Sequence, residues 1–143
     1  MMIAAPVSQL KEQQEMTAAD KVKRILIVED DLDIRDVLTQ VLEFEGYQVS
    51  GVGNGREALE FLKKSPRPGL ILLDLMMPVM DGWQFRAQQQ QDPELNTIPV
   101  VILSADGNVY QKAATIRAAG YLKKPVELET LLDTVGRHCV SAS

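Results

Sequence analysis

Four polar positions in this 143-residue chain come immediately after runs of apolar residues. Ile25 to Val28 leads into Glu29-Asp30-Asp31, Leu70 to Leu73 into Asp74, Val100 to Leu103 into Ser104, and Tyr121-Leu122 into Lys123-Lys124. A carboxylate buried at the end of an apolar run without a partner is strongly unfavourable. Asp74 therefore calls for a metal, a lysine or a covalent group. Acids clustered opposite another carboxylate repel, and one takes up a proton unless a cation lies between them. Oxygen ligands with room for water, and no His or Cys nearby, suit Mg²⁺ (or Mn²⁺) better than Zn²⁺. A lysine and a hydroxyl converging on the same carboxylate add the donors that phosphoryl oxygens need. The set describes an aspartate that accepts a phosphoryl group rather than a structural ion pair. Each position alone has a plainer reading: acids after a strand often cap a helix, and a lysine before proline is usually surface charge. What carries weight is that four signals fall at the same end of four different strands.

The elements that must position these residues follow from the pattern. "ILIV", "LILL" and "PVVIL" are continuous apolar runs, as expected of strands buried on both faces, and "YQVSGV" and "GYLKK" complete a set of five. Ile34, Val37, Leu38, Val41 and Leu42 recur at helical spacing, with Gly46 as the stop. "NGREALEFL" opens a second helix with Asn54 as cap and Glu57 three residues on. Further helices are expected from about Trp83 to Gln91, over 109–118, and from Val126 to Cys139. The tract "QQQQ" at 88–91 reads as solvated helix surface. Five strands alternating with five helices imply βαβ units and a mainly parallel sheet, an α/β fold whose ligands bind beyond the carboxyl ends of the strands.

Bulk properties narrow the function classes. The length suits one domain, and 45% apolar with 24% charged residues matches a soluble globular chain. No apolar run reaches the roughly 18 residues that span a bilayer, and the start, "MMIAAPVSQLKEQQ", lacks a secretory leader's pattern. A single cysteine, Cys139, excludes an internal disulfide framework and fits a cytoplasmic location. The net charge of −5 argues against direct nucleic-acid or anionic-membrane binding. Residues 1–21 read as a flexible extension, 22–140 as the domain, and 141–143 as a tail.

The ordered motifs "ILIVEDD", "LILLDLMMPVMDGW", "IPVVILSA" and "YLKKP" resemble the CheY-like receiver domains of two-component response regulators. The spacings 74 − 30 = 44 and 104 − 74 = 30 match that family as well. The resemblance implies a flavodoxin-like doubly wound sheet in the order 2-1-3-4-5 with five helices. It implies Asp74 as phosphoacceptor, and Mg²⁺ held by Asp30, Asp74 and the main-chain carbonyl of Met76, with Glu29 helping through water. By the same resemblance Ser104 bonds the phosphoryl oxygens, Lys124 pairs with them, and Tyr121 turns inward in response. Pro125 resembles a cis-proline junction, and Met76 and Asp106 occupy positions that tune dephosphorylation. The implied partners are a histidine kinase or histidine phosphotransfer protein, and a downstream protein that reads the face of helix 4, strand 5 and helix 5. With only a short tail after the last helix, the expectation is either a stand-alone receiver or a piece of a longer regulator, the N-terminal extension slightly favouring the first.

Ser104 and Lys124 are 20 residues apart, two fewer than is common in the family, so the fourth helix and its loop are expected to differ. An aspartate-nucleophile phosphatase would also place Asp after an apolar strand, but its second Asp two residues on is replaced by Met76. "GVGNG" does not fit G-x-G-x-x-G, because position 56 is Arg, and reads as a strand-to-helix turn. A flavodoxin-like carrier would not place acids where a phosphate binds. The remaining alternative is a pseudo-receiver that binds proteins without being phosphorylated. His138 reads as a cation near a helix C-terminus, Cys139 as a half-buried helix residue, and Trp83 as packing under the third helix.

Overall fold

The computed structural model describes residues 22–141, so the expected extension 1–21 and the last two residues of the expected tail lie outside the described residues. Five strands, β1 (Arg24–Val28), β2 (Gln48–Val52), β3 (Leu70–Asp74), β4 (Val100–Ser104) and β5 (Gly120–Lys123), form one parallel sheet in the order β2-β1-β3-β4-β5. Five helices alternate with them: α1 (Leu32–Phe44), α2 (Gly55–Lys64), α3 (Gly82–Gln91), α4 (Val109–Thr115) and α5 (Leu128–His138). This is the flavodoxin-like architecture and strand order that the family resemblance implies.

The apolar runs are continuous because both sheet faces are covered. Ile25, Ile27, Leu70, Leu72, Val101 and Leu103 pack with Leu38 and Leu42 of α1 and Leu131 and Val135 of α5. Their neighbours Leu26, Val28, Ile71, Leu73, Val100 and Ile102 pack with Ala58 and Leu62 of α2, Phe85 of α3 and Val109 and Ala113 of α4. The two-residue period of a strand thus divides one apolar run between two cores.

The helix ends are locally encoded. Asp31 caps α1 by accepting from the Ile34 N–H at 3.1 Å, and Asn54 caps α2 by accepting from the Glu57 N–H at 3.0 Å. The Glu57 carboxylate accepts from the Gly53 N–H rather than from that of Asn54, so the expected capping box is displaced by one residue. Gly46, at φ +99°, ends α1 with Tyr47 N–H donating to the Leu42 carbonyl and Gly46 N–H to that of Glu43, a Schellman arrangement.

Three details differ from expectation. First, α4 stops at Thr115 rather than running to 118. Its end is held by Arg86 of α3, which is almost fully buried and donates from Nε to the Ile116 carbonyl at 2.9 Å and from Nη2 to that of Arg117 at 2.8 Å. The helix dipole places partial negative charge at that end, which suits a guanidinium without a buried acid. Second, the glutamine tract is not all solvated. Gln89 is buried, accepts from Arg86 Nη1 and donates to the Leu95 and Ile98 carbonyls. Third, Cys139 is the buried C-cap of α5 rather than a half-buried helix residue, and burial pushes its thiol up to about 11. Trp83 packs against the core beneath α3, and His138 ends α5, both as expected.

Candidate functional site

Strand register brings the carboxyl ends level. Val28 is paired with Val52 and Leu73, Asp74 with Leu103, and Ser104 with Lys123. Residues just beyond those pairs therefore converge, and Lys124 follows β5 directly, its N–H donating to the Ser104 carbonyl at 2.8 Å. The Lys124–Pro125 peptide is cis, as the family resemblance implied.

One oxygen each from Glu29, Asp30 and Asp74 lies within 4.8 Å of the others. Asp31, the third acid of the run, is not in this group, because its carboxylate caps α1. Lys124 Nζ lies 2.7 Å from Glu29 Oε1 and 3.5 Å from Asp74 Oδ2. Glu29 is fully buried, and its Oε1 has that ion pair but no aligned hydrogen-bond donor. Its other oxygen accepts from the Asp31 N–H at 3.1 Å. Burial raises the Glu29 carboxyl to about 7, against the opposing pull of Lys124. Burial pulls the Lys124 ammonium down, but the Glu29 and Asp74 carboxylates outweigh it, and the net shift is upward. Three clustered carboxylates facing a single ammonium hold excess negative charge, a chemical match for a hard divalent cation.

Asp74 is 5% exposed, and its Oδ1 accepts from the Met76 N–H at 3.3 Å. The loop after it is anchored by Gly82, whose N–H donates to the Leu75 carbonyl at 3.0 Å. Only glycine fits there, since a Cβ would lie 2.5 Å from the Asp74 carbonyl oxygen. Asp81 and Gln84 form a reciprocal capping box that starts α3. In the same loop Met77 and Met80 pack on the core, while Met76 is exposed.

Ser104 is also 5% exposed, and its Oγ accepts from the Asp106 N–H at 3.1 Å. Asp106 is held by Lys112 at 2.5 Å, which lowers its carboxyl below the usual range. Tyr121 is 43% exposed, its ring edge-on to Tyr110 of α4 at 5.7 Å between centroids. The structure thus gathers Glu29, Asp30, Asp74 and Lys124 into one cluster, with Ser104 on the adjoining strand end and Tyr121 facing outward. The sequence reading overlooked Arg35, whose Nη1 donates to the Glu29 main-chain carbonyl at 3.0 Å, and the Arg86–Gln89 pair.

A doubly wound parallel sheet with an acidic cluster and a lysine at its carboxyl end defines a receiver-like class of α/β protein. The profile of the response regulator receiver domain matches residues 25–136. The chain belongs to that family. It is 38% identical to the protein PilH of Pseudomonas aeruginosa over 78% of this chain and 93% of PilH. It is 39% identical to the response regulator MprA of Mycolicibacterium vanbaalenii over 76% of this chain, and the match spans about half of MprA, 47%. Among solved structures, the chemotaxis protein CheY4 of Vibrio cholerae superposes with a TM-score of 0.75 at 32% identity, covering 82% of this chain and 98% of CheY4. No helix among the described residues is long and apolar enough to cross a membrane.

Proposed function

We propose that this receiver domain is a phosphoacceptor switch of a two-component or phosphorelay system, with Asp74 as the residue phosphorylated. The observation that carries the reading is the Lys124 ammonium set between Glu29 and Asp74 at 2.7 and 3.5 Å, one cation facing a cluster of three carboxylates. A carboxylate oxygen of Asp74 attacks the phosphorus of a phosphohistidine on a kinase or phosphotransfer partner. The new P–O bond forms as the P–N bond breaks, and the imidazole nitrogen keeps the electron pair. Lys124 offers the transferred phosphoryl oxygens a cation, and Ser104 offers a hydroxyl while its Oγ still accepts from Asp106. Asp30, Asp74 and the Met76 carbonyl would hold Mg²⁺, with Glu29 contributing through water, and the metal would neutralise charge on the phosphoryl oxygens. The chain acts on itself alone and is not an enzyme with a separate substrate.

Access supports this reading. A cleft of about 290 Å³ beside Lys124 is lined mainly by apolar side chains, including Ile34, Val37 and Leu38 of α1 and Pro125 and Val126. Leu32 and Leu128 are exposed at the starts of α1 and α5, and Lys124, which lines the cleft, lies 3.5 Å from Asp74, so a donor helix would find apolar purchase on the side of the site that Lys124 occupies. The phosphoryl brings a charge of about −1.5 to −2. Ser104 and Tyr121 respond, and the face formed by α4, β5 and α5 changes for a downstream protein. Incubation with acetyl phosphate tests the reading. The expected result is one phosphoryl on the wild type with Mg²⁺, none in EDTA and none on Asp74→Ala. An unmodified wild type would leave only a binding role without phosphorylation.

A further inference from the structure

β2 passes into α2 through Gly53-Asn54, and two glycines of this stretch, Gly51 in β2 and Gly53 after it, do more than turn the chain. A Cβ placed on Gly51 would lie 2.9 Å from Arg35 Cδ and 3.0 Å from its Cγ, and one on Gly53 would lie 3.3 Å from Arg35 Nη1. The bare backbone therefore leaves a slot in which the Arg35 side chain runs from α1 toward the carboxyl end of β1. Its Nη1 ends on the main-chain oxygen of Glu29 at 3.0 Å. That oxygen belongs to the peptide linking the buried Glu29 to the exposed Asp30, two of the three acids in the cluster. Fixing this peptide fixes the direction in which Asp30 leaves the backbone. Among the described residues Arg35 forms no ion pair with a carboxylate, so its guanidinium is committed to this carbonyl.

We propose that Arg35, seated by Gly51 and Gly53, is a positioning residue of the cation site. It holds the Glu29–Asp30 peptide so that Asp30 faces Asp74 at ligating distance. This rests on reading the cluster as a Mg²⁺ site that serves phosphorylation. Groups behind the ligands of metal sites typically carry a tenfold or greater share of affinity, because they orient the ligands. The sign of the effect separates positioning from simple charge. Deleting a cation close to clustered acids would, by Coulomb attraction alone, tighten Mg²⁺ binding, whereas loss of orientation weakens it.

The test is calorimetric titration of Mg²⁺ into wild type, Arg35→Ala, Arg35→Lys and Gly51→Ala, each checked by thermal unfolding. Arg35→Ala is expected to bind about tenfold more weakly, and Arg35→Lys to recover part of the loss through its single donor. Gly51→Ala keeps every charge but pushes the Arg35 methylenes out of the slot, and is expected to weaken binding comparably. Its clash is with a flexible side chain on a partly exposed strand, so it decides the matter even if Arg35→Ala does not fold. With acetyl phosphate as donor, the variants should need more Mg²⁺ for half-maximal phosphorylation yet approach the wild-type rate at saturation. Wild-type or tighter affinity in Arg35→Ala and Gly51→Ala would overturn the inference while leaving the site reading intact. A wild type that binds no Mg²⁺ would overturn both.

Discussion

The buried Glu29 carboxyl makes the metal-free protein less stable as pH rises toward neutrality. Its pKa of about 7 in the fold stands against 4.5 for an ordinary glutamate, so between those values the folded state holds a proton that the unfolded state has released. Stability from this group is therefore present below pH 4.5 and is lost as pH rises through about 7. At about 1.4 kcal/mol per tenfold, the loss approaches ~3 kcal/mol. Lys124 does not offset it in this window: its raised pKa keeps it charged, and the stability it adds is lost only above its ordinary value of 10.5. Urea unfolding in EDTA from pH 5 to 8, followed by the fluorescence of Trp83, the chain's one tryptophan, measures the effect. Other titrating groups cancel when the wild-type profile is compared with that of Glu29→Gln. The wild type should fall by ~3 kcal/mol relative to the variant. Added Mg²⁺ should restore stability more at pH 8 than at pH 5, because the ionised cluster binds it. Parallel profiles for the two proteins would mean that the Glu29 carboxyl is not raised by its burial.

Arg86→Ala leaves two main-chain carbonyls and the Gln89 amide oxygen without their donor, and should cost about 3 kcal/mol in urea unfolding. The loosened α4 end should also show as faster amide exchange at 114–119. Gly82→Ala drives a Cβ into the Asp74 carbonyl oxygen, so stability and acetyl phosphate reactivity should fall together. Val79 is a β-branched residue at φ +68° that is exposed, and Val79→Gly should raise stability by about 1 kcal/mol by relieving that strain. Cys139, buried with its thiol at about 11, should resist alkylation at pH 8 until the protein is unfolded. Alkylation at the rate of a free thiol would contradict its placement.

Much of the fold was legible because a sheet covered on both faces turns each inner strand into an uninterrupted apolar run. β1, β3 and β4 carry that mark, and Gly46 and Asn54 punctuate the helices through local rules. Where an element ends through a distant partner, the sequence is silent. Nothing near Thr115 announces that α4 stops there, since the carbonyls beyond it are taken by Arg86, 30 residues earlier. The burial of Gln89 was hidden in a polar tract, although its spacing of three from Arg86 and four from Phe85 places all three on one helix face. The site acids were visible as interruptions of apolar runs. Which of them caps a helix and which lies against Lys124 depends on side-chain geometry, and Asp31 divides from Glu29 only in the structure.

If Asp74 is the phosphoacceptor, its carboxylate becomes an acyl phosphate. Borohydride reduction after acetyl phosphate and Mg²⁺ treatment converts such a group to homoserine, which peptide mass spectrometry locates. Homoserine is expected at position 74 alone, absent when Mg²⁺ or acetyl phosphate is withheld. Homoserine at Asp30, hydroxynorvaline at Glu29, or no reduced residue in a protein that folds and binds Mg²⁺ would overturn that assignment.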